Sequence, residues 1–369
     1  MQFDMITSQA QLKYFIQTID NSTISIDTEF VRTRTYVAHL GLLQLNQNNK
    51  ITLIDPILVP DLSSFWQKLD AKECLLHASG EDLEIIRQHK GDLNFTLFDT
   101  QIACAFLNFG SSLGYAGMVE LLREVIVDKG ESRADWCARP LGEKQLNYAA
   151  TDVLHLPSCF SELKEKLLEK KMYDFFLDEC QSTLDDKMKT QNPDNAYKSL
   201  NNLFKLDRPG LAIAKAIAKW RLQTAKKRNL PLNFVLKGDN IWLLAEYRPT
   251  TIADLHRLGL MPSEIRVQGT TLIKIIEDVL TEDPDSYPKL VSRLIDFPTY
   301  KKRLKSIREK VKSCADEYQL PVELIASKRI INNYLSWLWK LDEADHLQNE
   351  KPKLLTGWRF ELIGHQFEH

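Results

Sequence analysis

The sequence predicts an α/β domain with a mixed sheet in its first half and an all-α arrangement in its second half. Between residues 23 and 56 three short runs rich in β-forming residues follow one another, which is typical of an antiparallel meander. From residue 62 to residue 109 helical and strand patterns alternate, as in α/β folds. Beyond residue 198 the apolar spacing is almost entirely helical. A chain of 369 residues has room for two to three domains of about 150 residues each.

Each element of the first half is predicted from its own pattern. Strands of the meander are expected at residues 23–31, 39–45 and 51–55, with a turn over 46–49. Buried strands are expected at 73–78 and 96–99. Helices are expected at 62–69, 81–89, 100–109, 115–125 and 143–156, and the helical pattern continues over 158–180.

Two polar segments divide the chain. Residues 181–198 contain few apolar side chains and an Asn-Pro break, so they cannot bury much surface, and a second polar break covers 281–289. We therefore predict domains at 1–190, 205–284 and 290–369, with a linker at 191–204. An offset of 90 residues aligns Leu230-Pro231 with Leu320-Pro321, which favours a diverged tandem repeat. A chance alignment of two helical hairpins is the alternative.

Composition and cysteine spacing exclude several classes of protein. The chain is 44% hydrophobic and 27% charged, as globular proteins are. No run approaches the roughly 18 apolar residues that a membrane span needs, and the first residues lack the pattern of a secretory signal. We therefore expect a cytoplasmic protein with no membrane partner. The six cysteines stand singly, and no histidine stands at zinc-ligand spacing, so neither a disulfide framework nor a zinc site is expected.

Charge is unevenly distributed along the chain. The net charge is −2, but residues 1–195 carry 19 Lys and Arg against 29 Asp and Glu, and residues 196–369 carry 29 against 21. The two halves thus have net charges of −10 and +8. One interpretation is a site that collects cations beside a surface that collects polyanions; solvated helix faces without a function give the same sums.

The first predicted strand carries two acids at alternate positions. Residues two apart on a strand point to the same face, so Asp27 and Glu29 share one face. Neighbouring carboxylates repel each other and lose hydration on burial, which is costly unless a cation compensates. Oxygen ligands at this spacing suit Mg²⁺ or Mn²⁺. An exposed edge strand with two solvated acids is the alternative.

Two more acids and a tyrosine follow along the chain. Asp82 falls in the first helical turn after a buried strand, and Ser79 three residues earlier makes a capping box its alternative role. Tyr148 and Asp152 are four residues apart and share one helix face, so the phenol and the carboxylate can reach one point. A half-buried tyrosine with a solvated aspartate one turn later is the alternative.

The order of these residues resembles the DEDD superfamily of 3′→5′ exonucleases, in the subtype with a tyrosine in the third motif. Five segments are also similar to the bacterial ribonuclease D family: DTEFVR at 27–32, HA and EDL within 77–83, FDTQ at 98–101, DW and RPL within 135–141, and YAATD at 148–152. The basic half resembles two HRDC modules, the first around Trp220-Arg221 and the second ending near Gly357-Trp358-Arg359. The resemblance spans essentially the whole chain. It implies a ribonuclease H-like exonuclease domain, with a mixed sheet flanked by helices, followed by two all-α HRDC domains.

The resemblance also implies two-metal hydrolysis of phosphodiester bonds. Asp27, Glu29 and Asp152 would hold the ion that activates water, Asp27 would bridge to a second ion, and Asp82 would act as a ligand directly or through metal-bound water. The ions would be Mg²⁺ or Mn²⁺. Tyr148 would orient the attacking water, because a phenol with a pKa of about 10 is a poor base at neutral pH. The implied activity is removal of 3′-terminal nucleotides from tRNA precursors and other small structured RNAs as nucleoside 5′-monophosphates. A 3′→5′ DNA exonuclease and a catalytically silent RNA-binding scaffold are the alternatives.

Contacts with RNA are expected from two regions. Near the acids the candidates are Thr28, Phe30, His77 and Arg139; core roles for Phe30 and His77, and a salt bridge for Arg139, are the alternatives. In the basic half the segment 211–228 contains six basic residues and no acid: Lys215, Lys219, Arg221, Lys226, Lys227 and Arg228. The segment 289–312 contains nine basic residues against two acids. Such surfaces bind RNA in a salt-sensitive way, with solvated helix faces as the alternative. A monomer without an obligatory protein partner is expected.

Overall fold

The computed structural model describes residues 1–128, 130–131, 134–341, 346 and 349–367, which form two compact units. The first unit comprises Met1–Val31, His39–Lys189 and Pro298–His369. The second comprises Arg32–Ala38 and Thr190–Phe297. The carboxy-terminal helices from Pro298 onward therefore belong to the same unit as the sheet. The domain boundaries given above stay predictions.

A six-stranded mixed sheet lies at the centre of the first unit, with strand order β1-β4-β3-β2-β5-β6. The strands are β1 (Asp4–Ile6), β2 (Ile24–Val31), β3 (His39–Gln47), β4 (Lys50–Ile54), β5 (Glu73–Leu76) and β6 (Thr96–Asp99). β2, β3 and β4 form the expected antiparallel meander, while β1, β5 and β6 pair in parallel with their neighbours. The mixed sheet confirms the predicted fold class. β1 has only three residues, too few for a periodic signal in the sequence.

Within the described part of residues 1–189, eight helices accompany this sheet. They are α1 (Gln9–Thr18), α2 (Ser63–Gln67), α3 (Gly80–Lys90), α4 (Thr100–Phe106), α5 (Tyr115–Arg123), α6 (Glu143–Leu154), α7 (Leu156–Glu169) and α8 (Tyr173–Met188). Helix α6 packs against β2, β3 and β4. Its inward side chains Ala149 and Ala150 are fully buried, and their small size lets the helix lie close to the sheet. This packing brings the polar side chains of α6 beside those of β2.

The second unit is helical, as predicted. Its helices are α9 (Arg208–Arg228), α10 (Leu232–Val235), α11 (Gly238–Tyr247), α12 (Ile252–Arg257) and α13 (Pro262–Leu280), with 3-10 turns at Pro193–Ser199, Leu203–Lys205, Pro284–Ser286 and Leu294–Asp296. Its core is formed by apolar side chains of α9, α11 and α13, including Ile217, Leu244 and Leu272.

The segment 191–204, expected to be a linker, is folded in the structure. Its 3-10 helix Pro193–Ser199 lies against α9. Ala196, Tyr197 and Leu203 are buried in the core of the second unit. A mainly polar segment can join a core in this way because its few apolar side chains are buried there.

The carboxy-terminal part of the first unit is also helical. It contains α14 (Tyr300–Tyr318), α15 (Val322–Ala326), α16 (Lys328–Lys340) and α17 (Gly357–Leu362), with 3-10 turns at Lys353–Leu355 and Gly364–Phe367. The 90-residue offset relates α10 to α15 and α11 to α16, and it relates Asn229 to Gln319, which both end a long helix in the left-handed conformation. The element order thus supports a tandem repeat. Among the described residues, every helix is too short or too polar to span a bilayer.

Candidate active site

Three acidic side chains from two elements meet at one face of the sheet. Asp27 and Glu29 lie on β2 and Asp152 lies on α6, and one carboxylate oxygen of each lies within 4.8 Å of the other two. All three side chains are partly buried. Together with Asp82 and Tyr148 they line a cavity of about 260 Å³. The structure therefore brings together the five residues that the sequence selected as the catalytic group.

Asp82 is the fourth acid, and Thr28 holds it in place. Thr28 donates two hydrogen bonds to Oδ1 of Asp82, from its backbone N–H at 3.1 Å and from Oγ1 at 2.5 Å. The capping alternative does not describe this acid, because the side chain of Ser79 makes no capping hydrogen bond to α3. Thr28, expected to contact substrate, is 5% exposed and its hydroxyl is committed to Asp82.

Burial raises the pKa of all four acids, and repulsion by neighbouring acids adds to its effect. Burial raises the pKa of Glu29 to about 9, with the charges of Asp152 and Asp82 adding to the effect. Burial also raises the pKa values of Asp27, Asp82 and Asp152. For Asp82 the hydrogen bond from Thr28 acts in the opposite direction. An all-oxygen donor set of this kind fits a hard divalent cation, whose charge would offset both burial and repulsion.

Tyr148 stands one helical turn before Asp152 and interacts with its carboxylate. Burial, and then the charge of Asp152, raise the pKa of the phenol above its ordinary value. The hydroxyl therefore stays protonated at neutral pH and can donate a hydrogen bond in the cavity. This supports the predicted role in orienting a reactant and argues against a role as a base.

Phe30 also lines the cavity, and it lies beside an irregularity in the pairing of β2 with β3. Glu29 pairs with Leu42 and Phe30 pairs with Leu40, so Gly41 of β3 is the extra residue of a β-bulge. Such a bulge disrupts the ladder locally and increases the twist of the strands. Strict alternation would turn Phe30 away from the acids, whereas the structure places it in the same cavity.

His77 and Tyr115 form an aromatic wall of the cavity. Nδ1 of His77 lies 2.9 Å from Oγ1 of Thr100, and the His77 ring meets the Tyr115 ring edge to face at 5.8 Å. Burial lowers the pKa of His77, so the imidazole is neutral at pH 7. Tyr115 was not identified from the sequence. Its hydroxyl donates to the carbonyl of Thr151 at 2.6 Å and accepts from the N–H of His155 at 3.2 Å. Both partners are distant along the chain, so no local sequence pattern predicts these contacts.

Arg139 corrects a prediction, because it lies outside the lining of the cavity. Its guanidinium forms a two-point ion pair with Asp55, with Nε to Oδ2 at 2.6 Å and Nη2 to Oδ1 at 2.8 Å. Asp55 is 2% exposed, and a carboxylate buried to this extent is strongly destabilising unless a cation such as the Arg139 guanidinium pairs with it. The salt-bridge alternative is therefore the arrangement found.

The basic residues of α9 divide into two groups. Lys226, Lys227 and Arg228 are exposed at the end of the helix. Arg221 is 7% exposed and donates to the carbonyl of Leu236 at 3.1 Å, so its assignment to an RNA-binding surface is corrected. The burial of Arg221 could have been predicted from the sequence, because positions 214, 217, 218, 221 and 225 have the spacing of a buried helical stripe. Lys215 is partly buried, and Lys219 pairs with Asp194 at 2.9 Å.

Comparison with known proteins assigns three parts of the chain. Residues 3–168 match the family of 3′-5′ exonucleases, residues 210–276 match the HRDC domain, and residues 298–367 match the C-terminal HRDC domain of ribonuclease D. Ribonuclease D of Psychromonas ingrahamii is 66% identical over the full length of both chains. Ribonuclease D of Escherichia coli is 38% identical over 98% of this chain and 96% of its own.

A solved structure agrees with these matches. The crystal structure of Escherichia coli RNase D, described as an exoribonuclease involved in structured RNA processing, has a TM-score of 0.95 and 37% identity, and the match covers 99% of this chain and 97% of the other. The predicted mixed-sheet exonuclease domain and helical HRDC domains are confirmed, as is the predicted enzyme class. The chain belongs to the ribonuclease D family of 3′→5′ exoribonucleases.

Proposed function

We propose that this exoribonuclease trims 3′-terminal nucleotides from tRNA precursors and other small structured RNAs, and releases nucleoside 5′-monophosphates by metal-dependent hydrolysis. The observation that carries the proposal is the convergence of Asp27, Glu29 and Asp152 within 4.8 Å in one cavity with Asp82 and Tyr148. The description of the Escherichia coli relative as an enzyme of structured RNA processing supports the class of substrate.

Two divalent ions, Mg²⁺ or Mn²⁺, fit the donor set. Asp27, Glu29 and Asp152 would hold one ion, and Asp82 with Asp27 would hold the other. When bound, such ions lower the pKa of a coordinated water and neutralise charge on the phosphate. The buried position of these acids supports this assignment, because carboxylates with raised pKa values gain most from a nearby cation.

The side chains of this chain supply position and shape. The protonated phenol of Tyr148 would orient the attacking water by donating or accepting one hydrogen bond. Thr28 keeps Asp82 in a single orientation through its two hydrogen bonds to Oδ1. Phe30 and His77 give the cavity an aromatic side on which a terminal base could stack.

A 5′-labelled tRNA with a few additional 3′ nucleotides tests the proposed function. With Mg²⁺ we expect stepwise shortening from the 3′ end and nucleoside 5′-monophosphates as products, and with EDTA we expect none. A single-stranded DNA of the same sequence tests the first alternative, because faster removal of deoxynucleotides would contradict an RNA enzyme. RNA binding without hydrolysis in either metal would favour the scaffold.

We expect metal binding to release protons and to tighten as the pH rises. Raised pKa values mean that the metal-free cluster holds protons near neutral pH, and Glu29 holds its proton up to about pH 9. A cation must displace these protons, so its apparent affinity increases with pH. Calorimetric titration of Mn²⁺ in buffers of different ionisation enthalpy measures the number released. Binding without proton release would contradict the assignment, and Glu29→Gln should release fewer protons than wild type.

We expect charge reversal at the end of α9 to weaken RNA binding. Lys226, Lys227 and Arg228 are exposed, and exchanging all three for Glu replaces three attractive charges by three repulsive ones. KM for RNA should rise about tenfold or more near 0.1 M salt, with a smaller salt dependence and little change in kcat. Reversal of the exposed Arg266 and Lys274 of α13 is the matched control. An unchanged KM and salt slope would exclude this surface as an RNA contact.

The setting of the enzyme is also part of the proposal. We propose that it acts in the cytoplasm as a monomer with no obligatory protein partner. All six cysteines are free thiols and five of them are buried, which suits a reducing compartment. Light scattering during size-exclusion chromatography tests the oligomeric state, and a stable dimer at micromolar concentration would contradict it.

A further inference from the structure

The loop before α6 places the indole of Trp136 against the ring of Tyr148. The two ring centroids are 6.1 Å apart, and the ring planes are inclined by 39°. Trp136 is 1% exposed, so its indole is held in the interior of the first unit. The side of Tyr148 that meets Trp136 is therefore in contact with a rigid, buried neighbour.

Arg139 ties the same loop to the sheet. Besides its ion pair with Asp55, its guanidinium donates to the carbonyl of Trp136 at 2.8 Å and to the carbonyl of Gly41 at 2.7 Å. Gly41 lies on β3, and Asp55 directly follows β4. One side chain thus connects the backbone of the loop to two neighbouring strands.

Gly41 lets the loop approach β3 closely. A Cβ atom at this position would lie 2.5 Å from the carbonyl oxygen of Trp136 and 2.7 Å from its Cβ. Side chains do not tolerate such contacts, so the approach requires glycine. The backbone of Trp136 therefore packs directly on β3, and this position of the backbone helps to fix the direction of the indole.

We propose that Asp55, Arg139 and Trp136 form a clamp that positions the phenol of Tyr148 for hydrolysis. The inference rests on the role of Tyr148 in the proposed function. Helix α6 determines where the Cα atom of Tyr148 lies, but two side-chain torsions decide where its hydroxyl lies. Contact with the indole restricts those torsions, and groups that orient a reactant must be held within about 0.5 Å. Arg139 and Trp136 are positioning residues, since they act through Tyr148.

A double-mutant cycle tests the clamp. Trp136→Leu should lower kcat about tenfold or more with little change in KM, because a phenol misplaced by about 1 Å no longer orients the reactant. In a Tyr148→Phe background the same exchange should have little further effect on kcat, since the hydroxyl that the clamp positions is gone. Trp136→Phe should recover part of the rate.

Controls separate positioning from general stability. Trp66→Leu removes another buried tryptophan, 2% exposed and packed against Phe65, and should lower the melting temperature without the loss in kcat. Arg139→Lys removes the two-point ion pair while keeping the charge, and should show the same dependence on Tyr148 even if Trp136→Leu fails to fold.

The outcomes distinguish the clamp from the role of Tyr148 itself. The clamp would be overturned if Arg139→Lys or Trp136→Leu lowered kcat equally in the wild-type and in the Tyr148→Phe background. A Tyr148→Phe enzyme with the wild-type kcat would instead contradict the role proposed for Tyr148. A loss that depends on the presence of the phenol, with Trp66→Leu unaffected in kcat, is the result we expect.

Discussion

Exchanging Asp27 for Asn is expected to abolish RNA hydrolysis and to stabilise the metal-free protein. Burial, and then the charges of Asp82, Asp152 and Glu29, raise the pKa of Asp27. The exchange replaces a carboxyl group whose ionisation is unfavourable at this buried position by a neutral amide, and it also removes a ligand shared by both proposed metal positions. We expect turnover to fall at least about a thousandfold. The melting temperature in EDTA should rise by about 2–4 °C, which corresponds to about 1 kcal/mol.

The stabilisation should depend on pH in a defined direction. A carboxyl group whose pKa is higher in the folded protein binds its proton more tightly when folded, so stability falls as the pH rises from the unfolded pKa through the folded one. For Glu29 this interval runs from 4.5 to about 9. The metal-free wild type should therefore lose stability across this interval, and Asp27→Asn should lose less of it.

Thermal unfolding in EDTA and in Mg²⁺ measures both parts of this prediction. Mg²⁺ should raise the melting temperature of the wild type and have a much smaller effect on Asp27→Asn. Glu81, an exposed acid that lines the same cavity, offers a matched control through Glu81→Gln, which should retain most of the turnover. Equal melting temperatures of wild type and Asp27→Asn in EDTA near pH 8, or undiminished turnover, would be incompatible with the proposed site.

Exchanging Arg359 for Leu is expected to destabilise the first unit strongly. Arg359 and Glu179 form an ion pair with side chains 6% and 14% exposed, which joins α17 to α8. The N–H and the Nε1 of Trp358 donate to Asp178 and Glu179 at 2.6 and 2.8 Å. Removing the arginine leaves the Glu179 charge buried without its partner, a change that costs about 3–5 kcal/mol. Chemical denaturation monitored by circular dichroism measures the loss.

A second variant separates the lost charge pair from lost packing. Adding Glu179→Gln to Arg359→Leu removes the unpaired charge, and we expect part of the stability to return. Unfolding of Arg359→Leu at the wild-type denaturant concentration would show that this ion pair contributes nothing to the stability of the unit.

Gly357→Ala should be destabilising by itself, because Gly357 has a φ of +53° and a Cβ atom there would collide with the carboxylate of Asp178.

Local pattern was sufficient to select the acids and the tyrosine that the structure brings together in one cavity. The alternation of a strand places Asp27 and Glu29 together, and the pitch of a helix places Tyr148 beside Asp152. Both periodicities depend only on backbone geometry, which neighbouring residues determine. Phe30 shows where this reasoning fails, because strict alternation turns it away from the acids, whereas in the structure it lines the same cavity.

The roles of the charged and polar side chains around the site could not be read in the same way. Arg139 looked equally suited to a phosphate and to a salt bridge, and Asp55, 84 residues away along the chain, decides between them. Thr28 stands between two catalytic candidates, yet its hydroxyl serves Asp82. Tyr115 carried no local signal, because its partners lie 36 and 40 residues away. Each of these roles is a long-range contact.

By itself, the sequence determined the fold class, the acids and tyrosine of the site, and the relation to ribonuclease D, because these depend on residue type, spacing and order. Only the tertiary structure decided which basic residues are exposed and which are internal partners, as for Lys226 and Arg221. It also decided that the carboxy-terminal helices belong to the same unit as the sheet. The physical reason is that burial and pairing depend on which distant segments pack together, and spacing along the chain does not encode that choice.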